Sequence, residues 1–181
     1  MGTHDSLLAK AGTGDMFLSV KGAAHGVIKG ESLDDSKHKG EIEVLSWSWG
    51  MQQRMSQFGG IQATGRATIR ELKVIKRVDR ASTGLMSALR SNETIKEAVL
   101  TLRKVGKTPL EYLKITLMDA RVSALDIEGG DVSGGSMLLE RVAFAFNKIK
   151  VEYVPQGGDG LAQGGVSFED EWNPEVSPGE S

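Results

Sequence analysis

The sequence predicts a mainly β fold with one short α-helix, and three observations carry that reading. Several stretches alternate apolar and polar residues with the period of two of a half-buried strand. Glycine, proline and aspartate clusters interrupt these stretches at turn-like positions. Only one segment repeats its apolar residues at helical spacing.

Taken in order, Met16-Phe17-Leu18-Ser19-Val20 is a short apolar strand followed by a Gly-rich turn ending at Gly26. Residues 31–40 are polar and turn-like. Glu41–Gly50 alternates cleanly: Ile42 and Val44 lead one parity, which turns into Ser46 and Ser48, while Glu43, Leu45, Trp47 and Trp49 hold the other. Met51–Gly65 has no regular period and reads as a long loop, of the kind that is usually functional in a compact domain. Arg66–Val78 is strand-like. Ser82-Thr83 reads as a helix cap, Leu85, Met86 and Leu89 form a narrow apolar stripe, and Asn92 is placed to end the helix in the left-handed conformation. Three long strands follow over Thr94–Lys104, Leu110–Asp126 and Met137–Tyr153. Gly106-Lys107-Thr108-Pro109 separates the first two, and the Gly-rich run from Glu128 to Gly135 separates the second and third. Val142, Phe144 and Phe146 occupy one parity of the last strand, and Ala143, Ala145, Ile149 and Val151 the other. A strand apolar on both faces is buried on both, which points to contacts outside its own core. The tail, 155–181, adds an edge segment around Val166-Ser167-Phe168 and Trp172 and then frays.

A chain of 181 residues supports one hydrophobic core and not two ordinary domains. Its net charge of −2 argues against wholesale nucleic-acid or membrane binding. The absence of cysteine excludes disulfides, thiol catalysis and cysteine-held metals. No stretch has the length of a membrane span. Residues 1–14 read as a flexible extension without the apolar region of a cleaved secretory signal, so export would need a dedicated machine. Met1-Gly2-Thr3-His4-Asp5-Ser6 fits the loose myristoylation pattern, which short segments often match by chance.

The candidate enzyme signals fail on their own chemistry. Gly106-Lys107-Thr108 resembles the end of a phosphate-binding loop, but Thr101 stands where that loop needs glycine, and a strand follows where it needs a helix. His4, His25 and His38 lie scattered in loops and read as exposed turn residues. Ser133 lacks the flanking pattern of a nucleophile elbow, and no histidine follows it. Glu111 and Asp119 share a strand face but lie roughly 26 Å apart along it, too far for a catalytic pair. The basic residues Arg66, Arg70, Lys73, Lys76, Arg77 and Arg80 are interrupted by Glu71 and Asp79 and lack interleaved aromatics, so they read as a solvated strand face or one paired with acids on a neighbouring subunit. No catalytic residue, cofactor or metal is expected. Trp47 and Trp49 read as core. Opposite them, the small hydroxyls of Ser46 and Ser48 suit either a wall lining a wet cavity or an ordinary solvent face.

These segments, read in order, resemble the haemolysin-coregulated protein (Hcp) family of bacterial type VI secretion. The resemblance rests on Asp15-Met16-Phe17-Leu18, Ile28-Lys29-Gly30-Glu31-Ser32, Ser36-Lys37-His38-Lys39-Gly40-Glu41-Ile42 and, most specifically, Val44-Leu45-Ser46-Trp47-Ser48-Trp49-Gly50. It continues through Ile95-Lys96-Glu97-Ala98-Val99-Leu100-Thr101, Pro109-Leu110-Glu111-Tyr112-Leu113-Lys114-Ile115 and Phe146-Asn147-Lys148-Ile149-Lys150-Val151-Glu152-Tyr153. It spans residues 15–172, leaving 1–14 as an extension and 173–181 as a frayed tail. It implies a small β-barrel of two antiparallel sheets with one flanking helix, assembled as a hexameric ring. It further implies stacked rings forming a secreted tube, with sheath and tip-spike proteins and small effectors as partners. The chain departs from the family in its longer start, in Arg54, Met55 and Phe58 within the 51–65 loop, and in Glu169-Asp170-Glu171 before Trp172.

The function expected is a structural subunit of the type VI inner tube, not an enzyme. It leaves the bacterial cytoplasm without a cleaved signal, enters neither nucleic-acid complexes nor membranes, and chaperones effectors in its lumen. Ser48, and with it Ser46, is the expected lumen contact; Arg54, Met55 and Phe58 are the expected ring-assembly contacts. The competing reading is a non-polymerising adaptor of the same machine.

Overall fold

A computed structural model describes residues 14–34, 37–53, 55–56, 62–63, 67–105, 109–132, 135–158 and 161–172. The expected extension before residue 14, the tail after residue 172, and His4, Arg54, Phe58, Arg66, Ser133 and the Gly106-Lys107-Thr108 turn lie outside them. The strands are β1 (Gly14–Gly22), β2 (Gly26–Ile28), β3 (Ile42–Ser48), β4 (Met51–Gln52), β5 (Met55–Ser56), β6 (Gln62–Ala63), β7 (Thr68–Ile69) and β8 (Leu72–Arg77). After helix α1 (Ser82–Arg90) come β9 (Ile95–Lys104), β10 (Leu110–Val132), β11 (Gly135–Tyr153) and β12 (Val166–Glu171).

The main sheet runs β10-β9-β1-β3-β8-β11 and closes because β11 pairs back to β10. Every pairing is antiparallel. The long strands β10 and β11 serve both walls of the barrel. The first half of β10 lies against β9, while β11 lies against β8 over Leu139–Phe144 and against β12 over Lys148–Tyr153. The register shift between Val122 and Ala124 marks the corner on β10, where a bulge lets one strand change walls. Leu18, Val20, Ile42, Leu72, Val74, Leu100, Ile115, Leu117, Phe144 and Ile149 fill the interior, and Leu85 and Ala88 of α1 belong to the same buried cluster. A fully buried aliphatic or aromatic side chain of this kind contributes about 1.5–3 kcal/mol.

Five expectations need correction. The Glu128–Gly135 turn is much shorter than expected, because Glu128, Gly129, Gly130 and Asp131 pair with Leu139, Leu138, Met137 and Ser136 as strand. A glycine lacking a side chain still makes ladder hydrogen bonds, so composition misplaced the strand end. The 51–65 loop holds short ladders, β4 on β7 and β5 on β6, each two residues long and too brief to show a period. Ser82 does not cap α1. Ala81 holds the cap position, and the Ser82 hydroxyl instead accepts from the Asp79 amide and donates to buried Glu140. His38 is buried rather than exposed, stacked on Phe17 with ring centroids 4.4 Å apart. Lys76, expected on a solvated face, is fully buried. The helix end does match: Asn92 is left-handed at φ 51°, and the Glu93 amide returns to the Ala88 carbonyl.

Candidate functional site

The expected lumen residues lie on the outer face of a four-stranded wall. β3, β8, the first half of β11 and the second half of β10 stand side by side there. The ladders align Ser46, Ile75, Arg141 and Asp126 in one row, and Ser48, Lys73, Ala143 and Ala124 in the next. The opposite face of the same strands carries Val74, Val142 and Phe144 into the core. The outer rows line a concave cleft of about 650 Å³, joined by Glu71. Small side chains leave it open: Ser48, Ala124 and Ala143 surround Lys73 along one row.

The alternation along β3 is broken in a way that the sequence does not display. Val44 pairs with Lys76 and Ser46 with Ile75, so Leu45 is an extra residue. This bulge turns Leu45 out to 37 % exposure and resets the parity. Ile42 and Val44 before it, and Trp47 after it, therefore all face the core. Trp47 sits opposite Val74 and packs against the core half-buried, as does Trp49. Ser46 and Ser48 fall on the cleft side, as expected, but Leu45 does not join the tryptophans.

Charges in the cleft have mixed sign. Arg141 is held by Glu128, which sits diagonally across the β10–β11 ladder. Glu71, Lys73 and Asp126 have no ion pair among the described residues. Among the described residues, the wall's two outer edges are also unpaired for much of their length. β3 bonds β1 only at Ile42 and Glu43, and β10 leaves β9 after Ala120.

Elsewhere, polar clusters fasten loops to the barrel. Arg103 spans Asp15 and Asp34 at 2.8 and 2.7 Å and lies over the Phe17 ring. The hydrogen bonds it donates to the Asp34 and Asp15 carboxylates hold its guanidinium firmly protonated. His38 bonds Glu41 at 2.8 Å. Glu111 lies 3.5 Å from His38; burial raises its pKa, but nearby Lys37, Lys114 and His38 lower it further, so the net shift is downward. Glu93 accepts the Ala24 and His25 amides at 2.7 and 2.9 Å and also the His25 ring. Glu93 lies 69 and 68 residues from Ala24 and His25, which explains why the sequence alone does not reveal this cluster. Among the described residues, no group of three or more His, Asp or Glu could hold a metal. Of the ring-assembly residues, Met55 falls in a described strand, β5, while Arg54 and Phe58 lie outside the described residues.

A family described as "Type VI secretion system effector, Hcp" matches residues 17–153. Protein hcp1 of Pseudomonas aeruginosa is 39 % identical over 153 residues, covering 83 % of this chain and 90 % of that protein. The solved structure of Hcp1 from Salmonella typhimurium is 35 % identical, with TM-score 0.66, over 88 % of this chain and 94 % of that one. A type VI secretion system effector from Yersinia pestis is 30 % identical, with TM-score 0.66, over 87 % and 99 % of the two chains. A structure described as a type six secretion system protein aligns at TM-score 0.75 and 30 % identity, over 90 % and 96 %.

Proposed function

Since this chain belongs to the Hcp family of type VI secretion proteins, a family of secreted structural proteins rather than enzymes, we propose that it is a subunit of the secretion tube. It closes into six-membered rings that stack, with the Ser46–Ser48 wall facing the lumen. The observation that carries this reading is the wall with two unpaired edges. Natural proteins cover or blunt long free edges, because exposed N–H and C=O groups invite pairing. Successive strands of the wall alternate in direction, so β3 and β10 run oppositely. The β10 edge of one copy can therefore pair antiparallel with the β3 edge of the next. Such head-to-tail contacts are heterologous and close into a ring when the rotation per subunit closes.

A second surface supports the same assembly. β12 is exposed along its whole length, and Val166, Phe168 and Trp172 present apolar area at 65 %, 43 % and 40 % exposure. A neighbour would cover them. The lumen then carries small effectors, the sheath and tip spike are the machine's other contacts, and the tube leaves the bacterial cytoplasm. No helix among the described residues is long and apolar enough to cross a membrane. The 51–65 segment, through Arg54, Met55 and Phe58, joins ring to ring.

Native mass and negative-stain imaging test this directly. A ring with a central hole is expected. A stable monomer at high protein concentration would overturn the tube and favour the non-polymerising adaptor. Deleting residues 54–59 should leave cooperative unfolding intact and weaken stacking; loss of all soluble protein would assign that segment to the core instead.

A further inference from the structure

We propose that Lys73 is the residue by which the lumen cleft selects its cargo, and that the cargo it selects presents carboxylates. This rests on the ring reading above and adds to it the chemical class of the bound partner. On β8, Leu72, Val74 and Lys76 turn into the core, so Lys73 must turn to the cleft. Its direct cross-strand neighbours there are Ser48 and Ala143, with Ala124 one strand further on. An ammonium on a flexible four-carbon stem therefore rises from a floor of one- and two-atom side chains.

The other charges of the cleft are differently placed. Arg141 is engaged by Glu128. Glu71 and Asp126 line the same cleft and sit on shorter stems. Neither lies within ion-pair distance of Lys73, which has no ion pair among the described residues. Lys73 is exposed, so its ammonium is open to an incoming protein. In a closed ring the contact repeats once per subunit around the lumen. Repetition turns a weak exposed attraction into a multivalent one. Ser46 and Ser48 beside it supply neutral donors and acceptors that tolerate many cargo surfaces.

The test uses the full chain and two fluorescent probes, a short oligo-glutamate peptide and an oligo-lysine peptide of equal length. Anisotropy is measured on wild type, Lys73→Met, Lys73→Arg and the control Lys96→Met, an exposed lysine outside the cleft. Native mass is recorded on every sample. The expected result is binding of oligo-glutamate to wild-type rings, about tenfold or more weaker in Lys73→Met. Lys73→Arg should retain it, and Lys96→Met should match wild type. Equal binding by Lys73→Met rings, or equal binding of oligo-lysine to wild type, overturns the assignment and leaves the ring intact. A monomeric wild type overturns the ring reading itself. Lysine acetylation footprinting of wild type provides an independent readout without any variant. Lys73 should be protected by oligo-glutamate, and an unprotected Lys73 in probe-saturated rings also overturns the proposal.

Discussion

Replacing Lys76 with methionine should be among the most damaging single changes to this fold, and a second replacement should largely repair it. Lys76 and Glu140 are register partners on β8 and β11, and both are fully buried. The Lys76 ammonium binds Glu140, Asp79 at 2.8 Å, Ser82 Oγ at 3.1 Å and the Arg77 carbonyl at 2.9 Å. The Ser82 hydroxyl donates to Glu140 at 2.7 Å. This network joins two strands to the first turn of α1. Lys76→Met leaves the Glu140 carboxylate buried with one hydroxyl donor, which costs about 3–5 kcal/mol. In urea, with a slope of roughly 2 kcal/mol/M for a chain this size, the midpoint falls by about 2 M. Glu140→Leu should cost a similar amount by stranding the ammonium, although Asp79 remains beside it. The double variant Lys76→Met/Glu140→Leu removes both charges and their desolvation cost, so it should fall within about 2 kcal/mol of wild type. Tryptophan fluorescence reports the transition, since Trp47 and Trp49 pack against the core. All proteins are compared at one concentration, because ring formation adds its own linkage. Single variants costing under about 1 kcal/mol, or a double variant costing the sum of the singles, would refute this account of buried charge.

Further outcomes follow from other sites. Gly30→Ala should lower the thermal midpoint markedly, because a Cβ there would lie 2.4 Å from the Glu41 carbonyl oxygen and 2.7 Å from the Ile42 Cα, both backbone; an unchanged midpoint by calorimetry counts against that tight crossing. Trp47→Ala should cost about 2–3 kcal/mol in urea unfolding, less than a fully buried aromatic, whereas Ser48→Gln should unfold like wild type and still form rings while filling the cleft. Burial raises the Glu93 pKa, but hydrogen bonds from His25 and Ala24 outweigh it and the net shift is downward. Its stabilisation is therefore present above the unfolded carboxylate range and lost as pH falls below about 4. The stability gap between wild type and Glu93→Gln should accordingly narrow on acidification, and a gap that widens in acid melts would contradict the sign.

The sequence by itself determined the class of the fold and the order of its elements, because those depend on local periodicity and turn chemistry. It placed the helix over Ser82–Arg90, its left-handed end at Asn92 and the outward face of Ser46 and Ser48. It also located β9 to within one residue at its start, and the edge strand near Val166 and Trp172. These signals are carried by neighbours a few residues apart. The tertiary structure alone decided the rest. The extra residue at Leu45 exists only relative to β8, since a bulge is a mismatch between two strands and not a pattern in one. The continuation of β10 through Gly129 and Gly130 depends on Leu138 and Met137 being opposite them. Lys76 can be buried because Glu140, 64 residues later, arrives to pair with it, and His38 because Phe17 offers a ring to stack on. A charged or polar side chain reads as exposed until its partner is known, and partners distant in sequence meet only when the barrel closes.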